Sequence, residues 1–153
     1  MPRSPQHTTH VTSHHLAGWH RWGVYLVGTL LLITGAIWLA LHYLVGAGAG
    51  DLPHPFEAWM MRAHGLAGFA AMFMFGTVTA VHLPHGWRLT RRQRWAQQRR
   101  TGLLLCAFAA VLLLSAYLLY YFAPEAIRPA LGWIHTAVGL AMGGVLALHR
   151  RGV

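Results

Sequence analysis

Four long apolar stretches, separated by short polar segments, dominate the sequence. They run about from Trp22 to Val45, Trp59 to Leu83, Gly102 to Phe122 and Ala130 to Leu148. Each has the roughly 20 mostly apolar residues that a helix needs to cross the hydrocarbon core of a bilayer. The pattern predicts four transmembrane helices, and it leaves little chain for a separate soluble domain. We therefore expect residues 19–153 to form one transmembrane domain.

The connections between these stretches are short and contain helix-breaking residues. Gly46 to Pro55 forms the first connection, Pro84 closes the second span just after His82, and Ala123 to Pro129 joins the third and fourth. Short connections force neighbouring helices to run antiparallel. The predicted fold is an all-α membrane protein, an up-down-up-down four-transmembrane-helix bundle in contact with the lipid bilayer.

The charged residues orient this bundle. The 153 residues are 56% hydrophobic and only 10% charged, and all twelve basic residues are arginine. Ten of the arginines precede the first stretch, follow the fourth or lie between the second and third, while Asp51, Glu57 and Glu125 lie on the other side. By the positive-inside rule, both termini and the Arg-rich connection are cytoplasmic. The use of arginine without lysine points to a GC-rich bacterial genome, so we expect a multi-pass protein of the bacterial inner membrane.

The net charge of +9 does not indicate a nucleic-acid-binding protein, because a topology signal and attraction to anionic lipid explain the arginines. The single cysteine, Cys106, excludes an intramolecular disulfide, a thiolate-rich metal site and covalent haem attachment. Residues 1–18 contain four histidines in a polar setting. We expect them to form a disordered cytoplasmic tail, with weak metal binding as the alternative.

Four histidines lie inside the apolar stretches and in register. His64 and His82 belong to the second stretch, and His135 and His149 belong to the fourth. These two stretches run in the same direction, so His64 and His135 are predicted near one membrane face and His82 and His149 near the other. Ionisable residues at membrane depth are costly and mark functional sites. Facing pairs of neutral imidazoles at two levels predict two b-type haems, one near each face.

The spacing supports this prediction but leaves the inner pair open. Eighteen residues separate His64 from His82 and fourteen separate His135 from His149. The two histidines of each helix therefore lie close to one face of that helix. The two spacings correspond to about 27 Å and 21 Å along the helix axes, a mismatch of about one turn. Glycines flank these positions. They fit either clearance for a flat macrocycle or close helix packing.

These residues resemble the four-helix di-haem b-type cytochromes of bacterial membranes, which include prokaryotic cytochrome b561 and the cytochrome b subunits of formate dehydrogenase and nickel-iron hydrogenase. The matching features are His20-Arg-Trp opening the first span, His64 early in the second, and His135 and His149 fourteen apart in the fourth. The resemblance implies an outer haem on His64 and His135 and an inner haem on His20 and His149. His82 departs from this pattern. Geometry on the second span favours His82 as the inner partner of His149, and the family pattern favours His20. We take His82 as the partner and His20 as the alternative.

Other residues have a structural and a functional interpretation. Arg62 and Arg128, near the outer ends of the ligand helices, are candidates to pair with haem propionates or to snorkel to the interface. His42 is either a support for the outer haem or a quinone, or a polar helix end. Side chains at the outer end of the third span form either a quinone pocket or an aromatic belt. They are Ser115, Tyr117, Tyr120 and Tyr121.

The sequence therefore predicts transmembrane electron transfer between the quinone pool and a redox partner protein or a larger complex. Any catalysis would be that of a quinol/quinone oxidoreductase or of its cytochrome b subunit, since no nucleophile or acid–base pair is evident. One alternative is a haem-free structural subunit whose histidines bridge helices. The other is a histidine-based transition-metal carrier, which the absence of acids from the span interiors disfavours.

Overall fold

The computed structural model describes residues 18–89 and 96–151. Within these ranges the chain forms four long helices: α1 (Gly18–Val45), α2 (Pro55–Leu89), α3 (Ala96–Tyr121) and α4 (Arg128–Arg151). Each is long and apolar enough to cross a membrane. The predicted all-α four-helix bundle is confirmed. The predicted disordered tail falls almost entirely outside the described residues.

The start of α2 shows why a helix can extend beyond its apolar stretch. Pro55 opens the helix, where its missing N–H costs nothing and its fixed φ suits the first turn. The Glu57 carboxylate accepts a hydrogen bond of 2.9 Å from the backbone N–H of His54, and the His54 imidazole accepts one of 3.2 Å from the N–H of Phe56. These bonds satisfy backbone donors that the helix itself leaves unpaired. The helix therefore begins four residues before Trp59.

Pro84, which the sequence predicts to close the second span, does not end the helix that contains it. Helix α2 continues through Pro84 to Leu89, although the apolar span within it ends at Ala80. A proline inside a helix removes one backbone hydrogen bond and favours a kink, but a membrane helix tolerates it when neighbouring groups satisfy the freed carbonyl. Part of the expected Arg-rich connection is helical as well, because Arg99 and Arg100 lie in α3.

The first connection contains a short 3₁₀ turn, Ala47–Ala49, which ends at Gly50. Gly50 has a φ of +93°, in the left-handed region where a side chain would clash with the backbone. Its N–H donates to the carbonyl of Ala47 at 3.2 Å and closes the turn. Glycine at this position lets the chain reverse tightly between α1 and α2.

The helices are arranged as two hairpins. Helix α1 packs along α2, and α3 packs along α4, whereas the two hairpins touch each other at few points. One link is at the end that the charge pattern predicts to be outer, where Tyr43 stacks on Trp133 with ring centres 5.4 Å apart. Another is at the opposite end, predicted to be inner, where the Arg150 guanidinium lies 4.7 Å from the centre of the Tyr25 ring. The two ends are called outer and inner below in this sense.

The interior between the hairpins is loosely filled and partly polar. Among the described residues no large side chain is fully buried. The buried polar side chains are His20, Thr34, Glu57, Thr101 and Ser115. Large apolar side chains instead cover the outside, as expected for helices whose surfaces contact lipid. The bundle therefore keeps these polar groups inside. The boundary along which the two hairpins touch at few points is called the cleft below.

Candidate functional site

His64 of α2 and His135 of α4 face each other across the cleft. Their ring centres are 6.3 Å apart and their planes are inclined at 68°. A metal–imidazole bond is about 2 Å long and a ring centre lies roughly 1 Å beyond its nitrogen, so two imidazoles on opposite sides of one metal ion have centres roughly 6 Å apart. The observed separation therefore matches what one shared metal ion requires.

Both imidazoles are held from behind by a hydroxyl group on the other helix of the same hairpin. Nδ1 of His64 is hydrogen-bonded to Oγ1 of Thr34 at 3.0 Å, and Nδ1 of His135 is hydrogen-bonded to Oγ of Ser115 at 2.7 Å. A histidine that binds a metal through one ring nitrogen usually hydrogen-bonds through the other, which fixes the orientation of the ring. In both residues this arrangement leaves Nε2 as the nitrogen for a metal.

His149, near the inner end of α4, is supported in the same way. Its Nδ1 is hydrogen-bonded to Oγ1 of Thr101 at 2.8 Å. A glycine follows the supporting threonine both here and at His64. A Cβ added at Gly102 would lie 3.7 Å from Cε1 of His149, and one added at Gly35 would lie 3.4 Å from Cε1 of His64. The Thr-Gly pair thus combines a hydroxyl contact with room for the imidazole beside it.

The two candidate partners of His149 have different surroundings. His20 is 8% exposed, stacks on Trp19 with ring centres 3.5 Å apart, and has no hydrogen-bond partner for its buried Nδ1 in the part of the chain that the structure describes. A buried polar atom without a partner is costly and calls for an explanation, such as a bound group. His82 is half-buried and lies in α2, two residues beyond the apolar span that ends at Ala80.

The sequence spacing of His20 and His82 distinguishes these two candidate partners of His149. The contact with His64 places Thr34 at the outer level of α1, and His20 lies fourteen positions before Thr34. Fourteen positions also separate His135 from His149. His82, in contrast, lies eighteen positions from His64, which is about 6 Å farther along the helix. The helical rise therefore puts His20 at the level of His149 and His82 about one turn beyond it.

The sequence left open whether the glycines give clearance for a macrocycle or allow close helix packing, and the structure shows glycines in both kinds of surroundings. An added Cβ at Gly139 would contact Leu112 of α3 at 3.8 Å, and one at Gly23 would collide with the Met74 side chain of α2, so these two glycines serve helix packing. Other glycines have nothing within 4 Å of an added Cβ; they include Gly65, Gly68 and Gly132. Gly68 lies one turn beyond His64 on the same side of α2. Open space therefore adjoins the outer histidine pair.

The two arginines predicted to pair with propionates lie at the outer end of the bundle in local contacts. The guanidinium of Arg62 lies 5.0 Å from the centre of the Trp59 ring. Arg128 donates a hydrogen bond of 2.9 Å to the carbonyl of Ala123. Each guanidinium has five N–H groups and can bind an anion while keeping such a contact. The arrangement is thus compatible with both the propionate and the interfacial interpretation.

A second polar group, which the sequence analysis did not assemble, lies above the outer histidines. Nδ1 of His42 and the Glu57 carboxylate are 2.9 Å apart, and the His42 ring stacks on Trp38 with centres 4.7 Å apart. The sequence analysis used Glu57 only as a topology charge. The His42–Glu57 hydrogen bond connects the end of α1 to the start of α2, where the Glu57 carboxylate also accepts the bond from His54.

The structure changes the interpretation of one residue in the predicted quinone pocket. Ser115 is buried and bonds to His135, so it belongs to the histidine site. Tyr117, Tyr120 and Tyr121 are exposed and contact one another, as in an aromatic belt at the membrane interface. In residues 18–89 and 96–151 no three His, Cys, Asp or Glu side chains cluster so as to hold a metal ion together.

Comparison with known proteins finds no match: no protein-family model, curated protein or solved structure matches this chain. The class of this protein is therefore described by its fold and by its histidine site. The chain is an all-α bundle of two hairpins with four candidate membrane spans and a pair of histidines facing each other in the cleft between them. The resemblance to di-haem cytochromes stays a prediction.

Proposed function

We propose that the chain is a di-haem b-type cytochrome that transfers electrons across the membrane, between the quinone pool and a redox partner protein. The observation that carries the proposal is the pair His64 and His135, whose ring centres are 6.3 Å apart across the cleft. This separation agrees with the distance that bis-imidazole ligation of one metal ion requires, and each imidazole is also hydrogen-bonded through Nδ1, which leaves Nε2 for the metal.

The residues present fit the outer haem. His64 and His135 would ligate the iron through Nε2, and the open space beside Gly68 would give the macrocycle clearance. Arg62 and Arg128 would neutralise its propionates at the outer interface. When bound, a haem supplies an iron that takes up or releases one electron at a time. The polypeptide supplies ligation, burial and nearby charge.

For the inner haem we propose His149 and His20 as ligands, with His82 as the alternative. Burial of His20 with an unpartnered Nδ1 and its fourteen-residue spacing from Thr34 support this choice. The two centres would be about 21 Å apart along the helices. His82 would then lie about one turn closer to the inner face.

The membrane setting supports the choice of partners. A donor that reaches the outer histidines through the bilayer must be apolar and must give up electrons singly, which describes a hydroquinone. It would transfer two electrons in succession and release two protons at the interface. The positive-inside pattern supports cytoplasmic termini and a bacterial inner membrane as the location.

A difference spectrum of the detergent-purified protein tests the proposal. We expect a sharp b-type α-band after dithionite reduction, and a pyridine haemochrome count of about two haems per chain. A folded, colourless protein expressed with ample haem would contradict the proposal. Stoichiometric Zn²⁺ or Cu⁺ in that protein would favour the metal carrier, and its isolation in a larger complex would favour the structural subunit.

A further inference from the structure

We infer that Thr34, Ser115 and Thr101 are positioning residues that hold His64, His135 and His149 in one tautomer, with hydrogen on Nδ1 and the lone pair on Nε2. In the haem-loaded protein they would also lower the midpoint potential of the centre they support. The second half of this inference rests on the proposed function, and the first half does not.

The direction of the hydrogen bonds follows from what else the hydroxyls do. The Thr34 hydroxyl donates to the carbonyl of Leu30 at 2.7 Å. The Ser115 hydroxyl donates to a carbonyl of its own helix at 3.1 Å, and so does the Thr101 hydroxyl. A hydroxyl has a single hydrogen to donate, so each must accept its remaining bond from the imidazole. An imidazole N–H that donates from Nδ1 leaves Nε2 unprotonated, which is the form that binds a metal.

The hydroxyls are spaced to match the histidines. Thr101 and Ser115 are fourteen positions apart in α3, as are His135 and His149 in α4. Because the two helices are antiparallel, Thr101 meets His149 and Ser115 meets His135. One matched contact is common in a helix pair, but two at the same spacing indicate that α3 is built to support both histidines of α4.

Other hydroxyls of the bundle show what the ordinary arrangement is. Thr77 donates to the carbonyl of Met74 at 2.9 Å, and Thr79 donates to that of Phe75 at 2.8 Å. Such bonds to the preceding turn are usual for serine and threonine in apolar helices. Thr34, Ser115 and Thr101 make this bond and contact an imidazole as well, so they are set apart by their position and not by their chemistry.

The hydroxyl that accepts the hydrogen bond from Nδ1 also affects the midpoint potential of the iron that the imidazole would bind. Drawing the Nδ1 hydrogen toward a hydroxyl oxygen makes Nε2 a more basic ligand. A more basic ligand stabilises oxidised iron more than reduced iron, so the midpoint potential falls. Loss of the Thr34 or Ser115 hydroxyl should therefore raise the potential of the outer centre, and loss of the Thr101 hydroxyl should raise that of the inner centre.

Nitrogen NMR of the haem-free protein labelled at histidine tests the tautomer. We expect His64, His135 and His149 to carry hydrogen on Nδ1, and Thr34→Val to change the His64 signal while Thr34→Ser preserves it. Hydrogen on Nε2 in the wild-type protein would overturn the inference whether or not the protein binds haem. Thr79→Val, which removes a hydroxyl without a described contact to histidine, is the matched control.

Redox titration of the haem-loaded variants tests the effect on potential. At the wild-type midpoint of the outer centre, Thr34→Val and Ser115→Ala should raise its ratio of reduced to oxidised haem by up to about tenfold. Thr34→Ser and Thr79→Val should leave the ratio unchanged. Unchanged potentials in Thr34→Val and Ser115→Ala, with both haems retained, would overturn this half of the inference. A wild-type protein that binds no haem would instead remove the proposed function and leave the tautomer result standing.

Discussion

The two hairpins both contain histidines and hydroxyl side chains that contact them, but they distribute these residues differently between their helices. In the second hairpin, α3 provides two hydroxyls, Thr101 and Ser115, and α4 provides two histidines that bond to them. In the first hairpin, the described hydroxyl–histidine contact is at the outer level, from Thr34 of α1 to His64, and His20 lies fourteen positions before Thr34. The proposed function would give α1 two roles, to support one ligand through Thr34 and to provide another through His20.

The largest expected effect comes from breaking the outer pair, which joins the hairpins. His135→Ala removes one of the two facing imidazoles, so the outer centre should be lost and the haem content should fall from about two per chain to about one. A haemochrome count on purified protein measures this. His54→Ala is the control, because the described contacts of the His54 side chain are with Phe56 at the start of α2. Retention of both haems in His135→Ala would exclude His135 as an axial ligand.

The next effect distinguishes the roles within the first hairpin. If α1 provides the inner ligand, His20→Ala should lose the inner haem, whereas His82→Ala should retain both haems and change only the spectrum or potential of the inner one. Visible spectra and haem counts of the two variants, prepared side by side, decide between them. The opposite result would assign the inner centre to His82 and would make α1 a supporting helix only.

A smaller effect is expected on the stability of the first hairpin, which α1 and α2 form. Glu57 ties α1 to α2 through His42 and also bonds to the backbone of His54. Glu57→Gln removes the carboxylate but keeps an oxygen that can accept the bond from His54, whereas Glu57→Ala removes both contacts, so we expect a small loss in the free energy of unfolding for Glu57→Gln and a larger one for Glu57→Ala. Denaturation followed by circular dichroism in detergent measures both. Equal stabilities of all three proteins would show that this pair does not hold the hairpin together.

The smallest effect concerns the inner link between the hairpins. Arg150 lies over the Tyr25 ring, and an exposed cation–π contact contributes about 0.5–1 kcal/mol. Tyr25→Leu should therefore lower the midpoint temperature only slightly, with Tyr120→Leu in the exposed outer belt as the matched control. A loss as large as that of Glu57→Ala would mean that the inner link carries more of the assembly than the contact itself explains.

The hydropathy pattern was sufficient to predict the four helices, because length and apolar content alone decide whether a segment can span a bilayer. It also placed His64 and His135 at one level, since helical rise fixes depth. Exact helix ends were less predictable. Pro84 looked like a terminator in the sequence, but the cost of one lost backbone bond did not end α2.

The supporting hydroxyls were not predicted. Serine and threonine in apolar helices usually bond to their own backbone, so Thr34 and Thr101 carried no signal when considered one at a time. Their spacing did carry one, because Thr101 and Ser115 repeat the fourteen-residue interval of His135 and His149. The pair of His42 and Glu57 was missed for a different reason. It depends on how the first connection folds, which hydropathy does not describe.

The sparse contact between the hairpins has a consequence for how the protein matures. Each hairpin is suited to insert into the membrane as a unit, because its two spans pack mainly on each other and touch the other hairpin at few points. A group bound by one histidine from each hairpin would then be the main connection between the halves, and its binding free energy would add to the stability of their association. Newly made chains waiting for their cofactor would be the ones exposed to membrane proteases, so the cell's supply of that cofactor would set how much of the protein accumulates.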